Sequence, residues 1–459
     1  MMIDKTLIPR RDIAFGLYDQ KTDSPQVAVD LLYCRGFALF EDDAARVLAR
    51  LLRGESTADV LRDLRAQSPE NAEEYVQQTL EFLGQVGPSL FQNIDAQESP
   101  SNRALDFSDT QKYDDLFLLQ SVDQERFLGA TCELTYRCQL RCRHCYNSDH
   151  EKKDELSTGA WIDAISQMRA ANAFRLGFTG GDPFARSDLW EILEHTRSLH
   201  MAFDLLTNAQ ALCHWPTLDR LTRLNPRSVQ VSLYGAESAV HDAVTGVPGS
   251  FDKTIQALRQ LSERNIPLAI KSPAMTLNYR SLPKIAEIAH ELNAVHQVDL
   301  NITPQYDGTK TPLSLRLDDQ QMAEVMRYEG LPLYHGMEKM AEYGAAPRNP
   351  DDPLCGGGRS SLTILRNGTV VPCLTFPLRL GSLTESTLEE ILAAEPLQQW
   401  RSLRLDSRKG KCAECGMTPF CSFCPGDSYL EKGDPLSDNA SGCQIAAVRK
   451  NFCETFQNR

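Results

Sequence analysis

Thr131–Asn147 reads TCELTYRCQLRCRHCYN, and its cysteines Cys138, Cys142 and Cys145 are separated by three residues and then two. Tyr146 follows the last of them directly. Three thiolates from one short loop hold three corners of a cube-shaped iron–sulfur cluster and leave the fourth iron without a protein ligand. An electron-transfer cluster normally takes four cysteines, so the vacancy implies that something else binds that iron. A zinc loop is the alternative. Structural zinc closes tetrahedrally over paired C-x2–4-C ligands. Cys138 and Cys142 alone satisfy that pattern, but a third cysteine so soon after them fits it poorly.

Around this loop lie 459 residues, a length that predicts two or three domains. Apolar residues make up 42% of the chain, enough for a sizeable core throughout. The net charge of −14 argues against a nucleic-acid partner, which needs a basic stripe to meet phosphates. No stretch approaches the ~20 apolar residues of a membrane span. The start, MMIDKTLIPRRD, lacks the apolar core of a signal peptide. The expected location is therefore cytoplasmic, with no membrane partner. Fourteen cysteines in such a chain do not make a secreted disulfide framework. Three lie in the loop and seven between Cys355 and Cys443, clustering of the kind metal or iron–sulfur ligation produces. Cys453 is isolated, and Cys34, Cys132 and Cys213 read as small apolar residues.

Ahead of the loop, Ala14–Tyr18, Val27–Tyr33 and Phe37–Phe40 read as short strands separated by polar turns. Three helices should follow, with apolar stripes Val47, Leu48, Leu51, Leu52, then Val60, Leu61, Leu64, then Tyr75, Val76, Thr79, Leu80, Leu83. Gly54 stops the first helix, and Ser56 or Thr57 caps the second. Three strands and three helices make a small winged-helix unit over residues 1–91. Its acidic residues (Glu41, Asp42, Asp43, Glu70, Glu73, Glu74) count against DNA binding. Gln92–Asp114 is polar and aperiodic, and residues 92–125 are read as a linker.

From Arg126 the pattern alternates strand and helix. Strands are predicted at Gly129–Thr135, Arg175–Phe178, Phe203–Leu206, Val229–Leu233, Leu268–Lys271 and Val298–Ile302. Helices fall between them, the first capped by Ser157. Such alternation implies a parallel sheet, with chemistry at the carboxyl ends of the strands if it curls as a barrel. Polar residues stand at those ends: Gly180, Gly181 and Asp182 after the second, Thr207 and Asn208 after the third, Ser232 on the fourth and Lys271 on the fifth. His241 and Asp242, in HDAVTG, read as a local turn device without a catalytic role. Further on, Asn367-Gly368 between two apolar runs predicts a hairpin that brings Cys355 near Cys373. Cys412-x2-Cys415-x5-Cys421-x2-Cys424 and Cys443 complete the set. The five-residue gap is short for a zinc ribbon.

The loop C-x3-C-x2-C-Tyr resembles the cluster loop of the radical S-adenosylmethionine (radical SAM) enzymes. That resemblance implies an α/β fold, a partial (β/α)6 TIM-like barrel over residues 126–320. It makes Cys138, Cys142 and Cys145 the ligands of a 4Fe–4S cluster whose open iron is chelated by S-adenosyl-L-methionine, the source of a 5′-deoxyadenosyl radical. Tyr146 would lie near the adenine. Gly180-Gly181-Asp182-Pro183 resembles the family's Gly-Gly-Glu-Pro motif for the methionyl amine, with Asp182 in place of Glu. Thr207 and Asn208 would sit near the ribose, Ser232 near the ribose or the methionyl carboxylate, and Lys271 would pair with that carboxylate. After a bridging region (321–354), residues 355–459 resemble the SPASM extension, which implies two auxiliary 4Fe–4S clusters. Cys412, Cys415, Cys421 and Cys443 would hold the outer one. Cys355, Cys373 and Cys424 would hold the inner one, its fourth position either an open iron or filled by Asp351 or Asp352. The front unit resembles the peptide-recognition element of peptide-modifying members, in which a leader peptide adds a strand to the sheet; a plain docking or dimerisation module is the alternative. The implied partners are a ribosomally made precursor peptide and an electron donor such as flavodoxin or ferredoxin. The implied reaction is an oxidative crosslink, thioether or carbon–carbon. The alternatives are epimerisation or decarboxylation of a peptide, modification of a folded protein as in sulfatase maturation, and a non-catalytic iron–sulfur scaffold.

Overall fold

The computed structural model describes residues 7–18, 25–31, 36–67, 72–92, 111–147, 149–151, 154–213, 215–344 and 348–457. Cys34 and residues 93–110 of the expected linker lie outside them. The chain divides into two compact units. One comprises Met1–Gly129, Ile165–Leu176 and Leu193–Ala202, the other Ala130–Ala164, Gly177–Ile192 and Phe203–Arg459.

In the first unit, β1 (Ile13–Tyr18), β2 (Gln26–Leu31) and β3 (Gly36–Glu41) form an antiparallel sheet in that order, with Ile13 opposite Leu31 and Gln26 opposite Glu41. All six residues of β1 are buried, because successive side chains point to opposite faces and both faces are covered. Ile13, Phe15, Leu17, Val27 and Val29 pack with α1 (Asp42–Leu52), α2 (Thr57–Gln67) and α3 (Ala72–Leu90). Ala14, Tyr18 and Ala28 pack instead with Phe117, Leu128, Phe174 and Ala202. The three expected strands and three expected helices are present. Gly54 ends α1 at φ 88°, and the Ser56 hydroxyl accepts from Asp59 N at 3.1 Å at the start of α2.

The linker expectation fails over its second half, where α4 (Gln111–Asp123) forms. The polar composition hid one buried anchor. Phe117 is fully buried, with its ring 5.6 Å from that of Tyr18 and 6.5 Å from that of Phe174. Tertiary burial of a single aromatic stabilises a helix whose own periodicity is weak. Asp30 pairs in-plane with Arg175, Nη2 to Oδ1 at 2.5 Å and Nε to Oδ2 at 2.7 Å, with both side chains nearly buried.

The alternating region runs β4 (Gly129–Thr135), α5 (Thr158–Ala170), β5 (Arg175–Gly180), α6 (Leu189–Ser198), β6 (Ala202–Thr207), α7 (Trp215–Leu224), β7 (Ser228–Ser232), α8 (Ser238–Thr245), α9 (Ser250–Glu263), β8 (Leu268–Pro273), α10 (Leu282–Glu291) and β9 (Val295–Asp299). Then follow α11 (Asp319–Met326), α12 (Pro332–Tyr343), β10 (Ser361–Ile364), β11 (Thr369–Val371), β12 (Gly381–Ser382), α13 (Leu388–Ala393), α14 (Glu395–Ser402), α15 (Pro425–Lys432) and α16 (Ala440–Gln457). One nine-stranded sheet runs β12-β11-β10-β4-β5-β6-β7-β8-β9, and β6 through β9 pair in parallel. The fold is α/β, as expected, and a late antiparallel hairpin extends its sheet beside β4. The last parallel strand sits three residues earlier than Val298–Ile302. Ala269 pairs with Val295 and Pro273 with Asp299. The apolar run misled because β9 is an edge strand with Val295 61% exposed, while Leu300 and Ile302 are buried beyond the strand's end.

Candidate functional site

The cysteine loop leaves β4 and is held on three sides by backbone. Gly181 N donates to Thr135 O at 2.6 Å and Asp182 N to Arg137 O at 2.9 Å. Arg141 N donates to Thr245 O and Arg143 N to Val244 O, both at 2.9 Å, at the carboxyl end of α8. Tyr306 N donates to Tyr146 O at 3.0 Å. Gly180 and Gly181 are required by this seating. A Cβ on Gly180, at φ 124°, would lie 2.1 Å from Thr135 O, and one on Gly181 would lie 2.3 Å from Arg137 O. The glycines therefore let two protein backbones approach.

Asp182 has no solvent exposure. Its Oδ2 accepts from the Thr207 hydroxyl at 2.7 Å and from Asn208 N at 3.0 Å, and its Oδ1 accepts from Phe184 N at 2.9 Å. Burial raises the carboxyl's pKa while these three donors oppose the rise. One methylene shorter than Glu, the side chain meets these three protein donors. Thr207 is spent on the same contact. Asn208 Nδ2 points at the loop instead, 3.3 Å from Cys138 Sγ and 3.0 Å from Gln139 Oε1.

The three loop thiols lie within electrostatic reach of one another, and burial pushes all three up, Cys145 to about 11. Becoming thiolates there requires a cationic centre between them. Among the described residues no group of three or more His, Cys, Asp or Glu side chains is already gathered to hold a metal ion. Ser232 and Lys271 are direct partners across β7 and β8. Burial lowers the Lys271 pKa, against the opposing charges of Asp299 and Asp204. His241 and Asp242 belong to α8 and make local contacts. His241 Nδ1 accepts from Tyr234 N, while Asp242 accepts from Gly249 N, the Ser250 hydroxyl and Phe251 N.

Two residues here escaped sequence reading. Glu133, fully buried on β4, accepts from the Tyr146 hydroxyl at 2.6 Å and the Tyr136 hydroxyl at 2.9 Å. Burial pushes its carboxyl up to about 7, against the pull of both tyrosines and of Arg366. A charged residue inside an apolar strand was the available signal. Tyr306 packs its ring 5.1 Å from Tyr146 and donates its hydroxyl to Leu374 O. It thus links the loop to the segment that carries Cys373, and nothing in its local sequence marks it.

The late cysteines form two groups. The Asn367-Gly368 hairpin is present, with Thr363 opposite Val371, and Cys355 and Cys373 come within electrostatic reach. The Thr375 hydroxyl stands 3.4 Å from Cys373 Sγ and 3.9 Å from Cys424 Sγ, which joins the third thiol to them. Cys412, Cys415, Cys421 and Cys443 act on one another electrostatically as a separate set. Asp351 and Asp352 do not join the inner group. Both are exposed and turn locally around Asn349.

Residues 132–292 match the radical SAM superfamily, and residues 355–416 match the SPASM iron–sulfur cluster-binding domain. The chain therefore carries a radical SAM domain followed by a SPASM domain, and S-adenosylmethionine and iron–sulfur clusters are its cofactors. Among similar proteins, the PqqA peptide cyclase of Rhodopseudomonas palustris is 29% identical over 350 residues, covering 72% of this chain and 90% of that protein. The AdoMet-dependent heme synthase of Methanosarcina barkeri is 25% identical, covering 67% and 93%. In fold, the chain resembles Streptococcus suis SuiB bound to its precursor peptide SuiA, with a TM-score of 0.62 at 17% identity over 95% of this chain and all of that one. Among the described residues no helix is long and apolar enough to cross a membrane.

Proposed function

We propose that this radical SAM enzyme matures a ribosomally made peptide by an oxidative intramolecular crosslink. When bound, the site-loop cluster and S-adenosylmethionine supply a 5′-deoxyadenosyl radical that removes a hydrogen atom from the peptide. Cys138, Cys142 and Cys145 hold that cluster. Asn208 orients Cys138, Tyr146 flanks the adenine, and Ser232 with Lys271 meets the ribose and carboxylate. The SPASM cysteines hold two auxiliary clusters, three in all, able to accept the electron left when a carbon radical closes a bond. Flavodoxin or ferredoxin serves as donor.

The observation that carries the peptide reading is the front sheet. Phe15 N donates to His200 O, and Phe15 O accepts from Arg169, so the outer edge of β1 is already met. An added leader strand would use β3, taking affinity from main-chain hydrogen bonds. Similarity to a peptide cyclase and a fold shared with a precursor-bound enzyme support this. A leader held there raises the local concentration of the core peptide without new contacts.

The test is anaerobic incubation of the reconstituted protein with S-adenosylmethionine, reductant and the peptide encoded beside its gene. A product lighter by two hydrogens, with 5′-deoxyadenosine, is expected. Deoxyadenosine with unchanged peptide mass would favour epimerisation. No deoxyadenosine at all would favour a scaffold.

A further inference from the structure

Cys355, Cys373 and Cys424 leave the inner auxiliary cluster one protein ligand short. Asp427 stands beside them, three residues past Cys424 in the first turn of α15. It is 2% exposed, and an unpaired carboxylate that deep is costly unless hydrogen-bonded or bound to a metal. Oδ2 accepts from Asn301 Nδ2 at 2.5 Å. Oδ1 is buried and has no hydrogen bond of acceptable geometry. Among its neighbours the Cys424 thiol acts most strongly on this carboxyl, as a hydrogen-bond donor within reach of it. Arg316, the nearby cation, is committed to Glu431 at 2.6 Å.

The turn carrying Asp427 is also pressed against the loop carrying Cys373. A Cβ on Gly426 would lie 2.5 Å from Thr375 O, so this close approach requires glycine. Thr375 is the residue whose hydroxyl stands between Cys373 and Cys424. Asn301 has its own Oδ1 unpartnered. Its amide thus serves to fix the carboxylate's orientation, as outer partners of metal ligands do.

We propose that Asp427 is the fourth ligand of the inner auxiliary cluster, binding iron through Oδ1 while Asn301 holds Oδ2. The inner cluster is then closed by the protein, with no iron open to substrate. Asp351 and Asp352, exposed and turned elsewhere, have no part in it. This rests on the auxiliary clusters proposed above, and the test separates the two ideas.

The full chain with Cys138→Ala, Cys142→Ala and Cys145→Ala loses the site-loop ligands and keeps the seven auxiliary cysteines. Reconstituted with iron and sulfide, it should hold about eight irons. Its Mössbauer spectrum should contain one iron subsite distinct from the thiolate-bound remainder. Adding Asp427→Cys should keep the iron count and merge that subsite with the others, and adding Asp427→Ala should remove or alter it. A spectrum unmoved by either change overturns the assignment while leaving the clusters intact. Loss of inner-cluster iron in Asp427→Cys also overturns it, since the carboxylate would then serve folding. A parent protein short of one cluster's iron would sink the two-cluster reading, and this proposal with it.

Discussion

Replacing Glu133 with Gln should stabilise the protein in alkali and weaken it slightly in acid. The carboxyl's pKa moves from the usual 4.5 to about 7 because burial strips it of water. Between those values the folded chain keeps a proton that the unfolded chain has lost. Stability therefore falls as pH rises through that window and levels off above it. The gap of about 2.5 pH units, at about 1.36 kcal/mol each, amounts to about 3 kcal/mol. Gln removes this contribution. Its amide nitrogen, however, cannot accept from the second tyrosine, a loss of about 1 kcal/mol. The variant should thus be more stable by about 2 kcal/mol near pH 8, about equal to the parent near pH 5, and less stable by about 1 kcal/mol below about pH 4. Anaerobic urea unfolding of both full-length proteins across that range measures it, since cluster contributions cancel in the difference. A pH-independent difference, or one that turns against the variant as pH rises, would refute the reasoning.

Gly181→Ala should unseat the cysteine loop. Its Cβ meets Arg137 O at 2.3 Å and Tyr136 O at 2.4 Å, both backbone atoms that cannot swing away. Overpacking of this kind costs about 1–3 kcal/mol or more, and the reconstituted variant should bind less iron than wild type. Asn208→Ala removes the amide donor 3.3 Å from Cys138 Sγ. Because donors to cluster sulfurs raise reduction potential, an EPR-monitored titration should place the variant's site-loop cluster lower, and an unchanged potential would count against the contact. His296 is buried with Nε2 3.1 Å from Ser272 Oγ, and burial lowers its pKa from 6.5 to about 4. The unfolded chain alone takes a proton in that window, so stability falls as pH drops from about 6.5 towards 4. His296→Gln should flatten that slope in unfolding measurements, and an unchanged slope would show that His296 is not its source.

Much of the fold was legible because its signals are local. Gly54 at the end of α1, Ser56 at the start of α2 and the Asn367-Gly368 hairpin each act within a few residues, and each fell where the pattern placed it. α4 was illegible for the opposite reason. Its stability comes from Phe117 meeting Tyr18 and Phe174, residues distant in sequence. The edge strand β9 misled because an apolar run marks burial, and its residues Leu300 and Ile302 are buried outside the strand. The motif gave no sign of the three donors that Asp182 takes from Phe184, Thr207 and Asn208, the last two on another strand's end.

By itself the sequence determined the radical SAM and SPASM matches, since cysteine spacing on one loop is a local constraint that composition and periodicity cannot disguise. It also determined the alternation of strands and helices that sets those residues at strand ends. Only the tertiary structure decided how they are supported. It buried Glu133 between two tyrosines, turned Asp182 towards β6, and set Asp427 of a late helix against Asn301, 126 residues earlier. Those arrangements depend on contacts between segments far apart in the chain, where burial rather than local pattern fixes each group's charge and partner.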